Sequence, residues 1–347
     1  MALPQATVDC TPRKSFSDED PLCRLETHQR PVVYHPEYNV SVYGIERLHP
    51  FDTFKWRRVI DFLKEEKLIT NATLVEPTLP SLEELSKVHD RRYLKSIRSP
   101  FKAAKIAEVI PVALLPPCLI ECKILHPLRL QAGGSVLAAN LALKYGWAIN
   151  VGGGFHHASH DDGAGFCFYA DITMAIRDLF ERKAIKNAIV VDVDAHQGNG
   201  HARDFAEDKH VFIFDVYNAT VYPHDREARQ FIDSALHVDK HTTNTTYISR
   251  LRKQLEKCLT ERESLTPPGF DFILFNAGTD CLNGDPFGGM NLSSQCIISR
   301  DELVFEMAKT RGIPICMLTS GGYQKNNAQL IAKSIENLNS KNLINLQ

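Results

Sequence analysis

The chain has 347 residues, of which 44% are hydrophobic and 24% charged, and a formal net charge of −2. These values are ordinary for a soluble globular protein, and the near-neutral charge gives no overall electrostatic reason to expect nucleic-acid or membrane binding. No apolar run approaches the ~20 residues that span a bilayer.

In chain order, residues 1–29 are polar, lack the apolar core of a secretory leader and are expected to form a mobile tail. PVVY (31–34) reads as a short strand. A loop rich in Tyr, His and Pro follows, and Asp52 or Thr53 is placed to cap a helix bearing Trp56, Val59, Ile60 and Leu63 at helical spacing. Further helices are expected from about Ser81 and Asp90. Residues 99–128 hold several prolines and no period, which predicts a long irregular segment. A helix over 133–145 leads to the strand WAINV (147–151). Then come a helix at 169–183, the strand that opens AIVVDVDAHQGNG (188–200), a helix near 200–206 and the strand HVFIFDV (210–216). A polar stretch, a helix at 244–262, the strand FDFILFNAG (270–278), a helix at 300–311, the strand IPICMLTS (313–320) and a helix at 324–338 complete the pattern, with 341–347 as a short tail. The strands are continuous apolar runs separated by helices, which predicts one α/β domain, over 30–340, built on a mostly parallel sheet covered by helices on both faces. Nine cysteines without a CxxC pair read as reduced thiols of an intracellular protein. Cys118 and Cys122 have no second Cys/His pair to complete a structural zinc site.

Four predicted strands end in polar clusters. WAINV runs into Gly152, Gly153, Gly154, Phe155, His156 and His157. The stretch AIVVDVDAHQGNG (188–200) sets Asp192, Asp194 and His196 at alternate positions. FILFNAG leads to Thr279 and Asp280, and ICMLTS to Gly321, Gly322 and Tyr323. Alternate residues on a strand point the same way, and ligands of open parallel sheets bind beyond the carboxyl ends of the strands. Asp194, His196 and Asp280 form a two-carboxylate, one-imidazole set of the kind that holds a catalytic zinc and leaves a position open. His156 and His157 supply imidazoles that titrate near neutral pH, with Asp192 a candidate partner. Tyr323 could donate a hydrogen bond to a developing oxyanion. Taken singly, each has a plainer reading: a helix cap for Asp280, packing or loop roles for the histidines and Tyr323, a phosphate loop for the glycines, though no GxGxxG or GxxxxGK[ST] pattern is present. Their joint occurrence points instead to metal-assisted hydrolysis of an amide or similar bond.

GGGFHH, DVDAHQGNG, NAGTD and TSGGY, in this order, resemble the zinc-dependent histone deacetylases of the arginase–deacetylase fold, over roughly residues 30–340. YHPEYNVSVYGIERLHPFD with the following FLKEEKLI looks closest to the class IV branch, the histone deacetylase 11 type. The resemblance implies a three-layer fold and a single zinc on Asp194, His196 and Asp280. It implies His157 as general base and acid, His156 as its electrostatic partner held by Asp192, and Tyr323 polarising the acyl carbonyl. The Gly165 carbonyl would bind the substrate amide, and Phe155, Phe166 and Tyr222 would line the acyl-lysine channel. A potassium ion is implied at Asp192, Asp194, His196, Asp215 and Val216. So are acyl-lysine proteins such as histones as substrates, long fatty acyl groups among them, co-repressor complexes as partners, no direct nucleic-acid binding, and residence in nucleus and cytoplasm.

The chain departs from class I members in three places. Asn199 stands where they have Asp behind the second histidine. The rim segment AEVIPVAL offers Ile110 and Glu108 in place of an anchoring aspartate. Phe287 occupies a channel position that is usually Leu or Met. A two-metal ureohydrolase of the arginase type would need further carboxylates where Gly198, Cys281 and Leu282 stand. A deacylase of polyamines or other small amides shares the same catalytic core. A catalytically idle binding module would have lost a ligand or Tyr323, and none is lost.

Overall fold

Both faces of the central sheet are covered, which is why its strands are almost uninterrupted runs of Val, Ile, Leu and Phe. The computed structural model describes residues 24–48 and 51–347. Its strands are β1 (Val32–Val33), β2 (Trp147–Asn150), β3 (Ala188–Asp192), β4 (Val211–Tyr217), β5 (Ser234–His237), β6 (Phe272–Asn276) and β7 (Ile315–Leu318). They form one sheet in the order β1-β2-β7-β6-β3-β4-β5, and every neighbouring pair is parallel. The helices are α1 (Lys55–Glu65), α2 (Leu82–Ser86), α3 (Arg91–Ser96), α4 (Pro100–Ala107), α5 (Pro117–Ile120), α6 (His126–Tyr145), α7 (Asp171–Glu181), α8 (Asn199–Asp204), α9 (Asn244–Leu265), α10 (Ser294–Thr310) and α11 (Asn327–Ser340).

Successive strand residues face opposite layers. Ile189 and Val191 of β3, with Ile273 and Phe275 of β6, pack in the layer of α1, α9, α10 and α11. Ala188, Val190, Phe272 and Leu274 pack in the layer of α6, α7 and α8. The arrangement is the three-layer α/β fold expected of an arginase–deacetylase chain. A third apolar cluster joins α2, α3 and α4 to Phe168, Tyr169 and Met174.

Several expectations need correction. Residues 99–128 are not irregular: they form α4, a 3-10 turn over Ile110–Leu114, α5, a π turn over Glu121–Leu125 and the start of α6. Pro100, Pro111, Pro117 and Pro127 all sit in the first turn of one of these pieces. There a missing N–H costs nothing and the fixed φ favours helix, so the prolines start helices instead of breaking them. The polar stretch after β4 contains an edge strand, β5, whose mostly half-exposed SALH sequence carries too weak a pattern to read. α10 begins at Ser294, capped by Ser293, six residues before the expected start. α1 begins after Phe54, with no side-chain cap; Asp52 instead accepts the Phe54 N–H at 3.1 Å. Of the expected N-terminal tail, residues 1–23 lie outside the described residues. At the other end Ile344 and Leu346 are buried in the core.

Candidate active site

The four polar clusters meet beyond the carboxyl ends of β2, β3, β6 and β7, the central strands of the sheet. Asp194, His196 and Asp280 are buried and each presents a ligand atom within 4.8 Å of the others. His196 Nδ1 lies 2.8 Å from Asp280 Oδ2 and 3.1 Å from Asp194 Oδ1. The Ala195 N–H donates to Asp280 Oδ1 at 2.8 Å, so the loop after β3 fixes a carboxylate that arrives from β6. Burial and the Asp194 carboxylate push the Asp280 carboxyl up to about 7. Two buried carboxylates in contact call for a cation, and their set with one imidazole suits zinc. Gly278 and Gly321 keep the space beside Asp194 clear: a Cβ would come 2.2 and 2.3 Å from its Oδ2.

The two adjacent histidines have different partners. His156 Nδ1 is 2.9 Å from Asp192 Oδ2, and its Nε2 is 3.6 Å from Asp194 Oδ1. Burial opposes protonation of His156, but the Asp192 and Asp194 charges outweigh it and carry the pKa up to about 9. His157 Nδ1 donates to Asn199 Oδ1 at 2.8 Å, which leaves Nε2 as the basic nitrogen. Burial and the neighbouring His156 and His196 hold its pKa well below the ordinary value. One imidazole is therefore cationic and the other neutral near pH 7. Asn199 Nδ2 in turn donates to Asp225 at 3.1 Å, and Arg203 closes on the same carboxylate at 2.8 Å.

Tyr323 follows β7 on the loop Ser320–Gly321–Gly322. Burial and the charges of Asp280 and Asp194 raise its hydroxyl pKa well above the ordinary value, so it remains a donor. Its ring lies 6.3 Å from that of His196. Asp285 accepts the Tyr323 N–H at 2.9 Å. The buried Lys55 ammonium donates to the carbonyls of Ser320, Gly321 and Gly322.

Tyr222 stands edge-on to His157 at 4.9 Å and Phe287 edge-on to Tyr323 at 4.8 Å. Phe166 stacks on Phe51 at 5.8 Å. Phe155, Gly165 and Phe166 line a cavity of about 60 Å³ with His156, His157, Tyr323, Tyr38, Trp56 and Leu128. Gly165 takes φ +51°, and a Cβ there would come 2.6 Å from His157; only glycine lets the backbone pass this close. Its carbonyl accepts from the Cys167 thiol at 3.3 Å. Asp215 and Val216 are buried on β4, where Asp215 pairs in register with Asp192. Asp215 Oδ2 accepts the Gly198 N–H at 2.9 Å, while its Oδ1 is buried with no hydrogen-bond partner.

Five residues that organise this site were missed in the sequence. Lys55 carried a signal: it shares the buried face of α1 with Val59, where a lysine is out of place. Asp171 accepts the N–H groups of Gly154 and Phe155, both at 2.8 Å. Asp225 and Asp285 sit in loops with no pattern. His201 places Nε2 2.9 Å from Asp192 Oδ2, the oxygen that also binds His156; the three form a second cluster of candidate ligand atoms, here engaged in direct hydrogen bonds.

The model of the histone deacetylase domain matches residues 49–338. The chain belongs to the histone deacetylase family. It is 45% identical over 313 residues to the Arabidopsis thaliana protein named histone deacetylase 2, covering 90% of this chain and 79% of that one. An uncharacterized protein of Picosynechococcus sp. is 29% identical, covering 87% of this chain and 94% of its own. Human histone deacetylase 1 is 24% identical, covering 87% and 63% respectively. In the histone deacetylase domain of this chain all four motif-bearing loops therefore fall inside the matched region.

Proposed function

We propose that this protein is a zinc-dependent hydrolase of the class IV branch that removes acyl groups from lysine side chains of proteins, with residues 30–340 as the catalytic unit. The observation that carries this reading is a buried Asp194–His196–Asp280 set beside two histidines with different partners, Asp192 for His156 and Asn199 for His157, and the ring of Tyr323. Zinc held by those three residues would acidify a water molecule and polarise the acyl carbonyl.

The chain's own groups divide the remaining work. Neutral His157 takes the proton of the attacking water at Nε2 and delivers it to the departing lysine nitrogen. Asn199 holds the opposite nitrogen protonated, so the ring acts in one orientation. His156, kept charged by Asp192, adds positive potential beside the developing oxyanion, and the Tyr323 hydroxyl donates to that oxygen. The Gly165 carbonyl accepts the substrate amide N–H, and Phe155, Phe166, Tyr222 and Phe287 flank the aliphatic stem. The lone buried Oδ1 of Asp215 supports potassium beside Asp192, Asp194, His196 and Val216.

Class IV membership carries a preference for long fatty acyl groups. The cavity of about 60 Å³ admits a few water-sized groups, so a fatty chain needs Phe51, Trp56 and Leu128 to give way. Histones and other acyl-lysine proteins are the proposed substrates, in nucleus and cytoplasm and within co-repressor complexes. Hydrolysis of acyl-lysine peptides by the wild type but not by Tyr323→Phe, at unchanged metal content, tests the assignment; equal activity of the two proteins overturns it.

A further inference from the structure

The net charge of −2 hides a local asymmetry. From Arg91 to Ala107 the chain carries six basic residues and no acidic one, and residues 109–120, VIPVALLPPCLI, carry no charge at all; the exposed Asp90 precedes the first stretch and the exposed Glu108 separates the two. Arg98 pairs with Glu121 at 3.1 Å and Lys102 with Asp162 at 2.5 Å. Arg91, Arg92 and Lys95 on α3 and Lys105 on α4 point into solvent. The same segment exposes large apolar side chains: Phe101 at 78%, Ile110 at 86% and Leu114 at 87%. Phe101 and Lys105, four apart on α4, are neighbours on its outer face. The Val109 N–H bonds back to the Ala104 carbonyl at 3.2 Å, folding the turn that bears Ile110 and Leu114 against the end of α4. The Ile106 carbonyl accepts the Phe166 N–H at 2.9 Å, which fastens the segment to the wall of the channel.

We propose that α3, α4 and the turn after them form a docking surface for an anionic lipid bilayer. Phe101, Ile110 and Leu114 enter the boundary between headgroups and acyl chains, and the four free basic side chains lie over acidic headgroups. Charge alone would also suit a nucleic acid. Three exposed apolar side chains, two of them aliphatic and on an uncharged proline-rich turn, have no partner on a phosphate backbone and a direct one in a bilayer. Docking is independent of the chemistry proposed above. Where both hold, the channel mouth lies at the membrane and acyl-lysine proteins held there become the accessible substrates.

Co-sedimentation of the full chain with vesicles of phosphatidylcholine, alone or with about a third phosphatidylserine, tests this. Binding should be about tenfold greater to the serine-containing vesicles. It should be lost in the pair Phe101→Ser and Leu114→Ser and in the pair Lys95→Glu and Lys105→Glu, with circular dichroism showing both variants folded. No binding to either vesicle, or binding that neither pair alters, overturns the assignment. Binding of duplex DNA in place of vesicles makes the surface a nucleic-acid site and overturns it too. So does a dimer in solution that the apolar pair dissolves.

Discussion

The Lys55 ammonium donates a 2.8 Å hydrogen bond to the backbone carbonyl of Ser320, from a side chain with no exposure to solvent. It reaches the next two carbonyls, of Gly321 and Gly322, at 3.1 and 3.3 Å. The aromatic rings of Trp56 and Phe51 pack at 4.2 and 4.9 Å from the same nitrogen. Asp285 accepts the Tyr323 N–H at 2.9 Å. Burial brings the Lys55 pKa down to about 7 against the pull of Asp280 and Asp194, and the three carbonyls accept from its protonated form; Lys55 and Asp285 thus fix the loop that carries the tyrosine. Lys55→Met should leave the carbonyls of Ser320 and Gly322 without this donor, while Gly321 keeps the Thr279 N–H and hydroxyl; it should cost about 2–4 kcal/mol, lower Tm and reduce kcat more than KM changes. Thermal melting and steady-state kinetics check this; an unchanged kcat would show that the loop needs no cation.

The path from His157 to Asn199 to Asp225 to Arg203 gives a second prediction. Asp225→Asn removes the charge that orients Asn199 and should cut kcat about tenfold, with KM nearly unchanged. Burial raises the Asp225 carboxyl, but the Ala228 N–H and Arg203 outweigh it and hold its pKa below the ordinary 3.8. Its folded form therefore binds fewer protons than the unfolded chain, so its stabilisation is present above that pH and disappears as the pH falls through the folded value. Urea unfolding should show a gap between wild type and variant at pH 7 that closes in acid. A gap that persists at low pH would assign the loss to packing.

Gly321 offers a steric test of the metal centre. A Cβ there would stand 2.3 Å from Asp194 Oδ2 and 3.0 Å from Asp280 Oδ2. Gly321→Ala should weaken zinc binding about 10–100-fold, as read by competition with a chromogenic chelator. Unchanged affinity would mean that these carboxylates do not jointly face the ion.

The proposed fatty-acyl preference requires the cavity walls to yield. A series of peptides acylated from acetyl to myristoyl should show kcat/KM rising with chain length. Trp56→Ala should favour the longest chains further, by enlarging a wall that Trp56 now closes. Equal or better turnover of acetyl-lysine contradicts the fatty-acyl preference.

The layers of the fold and the strand ends that meet at the site were legible because they rest on local signals. Apolar runs mark doubly covered strands, and Asp192 ends one of them while Asp194 and His196 stand in the loop that follows it. The helices hidden in 99–128 were not legible, since a proline that starts a helix looks the same as one that breaks it until the neighbouring backbone is known. β5 is an edge strand whose pairing with β4 comes from tertiary contact, not from its own pattern. Asp171, Asp225 and Asp285 act through hydrogen bonds to backbone or side chains distant in sequence, and no spacing rule reaches them. His201 directly follows the motif, yet only its 2.9 Å approach to Asp192 separates it from a helix residue of no consequence.

One zinc on Asp194, His196 and Asp280 is the centre of the proposed chemistry. Purified protein should be stripped with a chelator and titrated with zinc while release of the free carboxylic acid from an acyl-lysine peptide is measured. Turnover should fall to background on stripping and return in full at one zinc per chain. Turnover that survives stripping, or that returns only at two ions per chain, would contradict it.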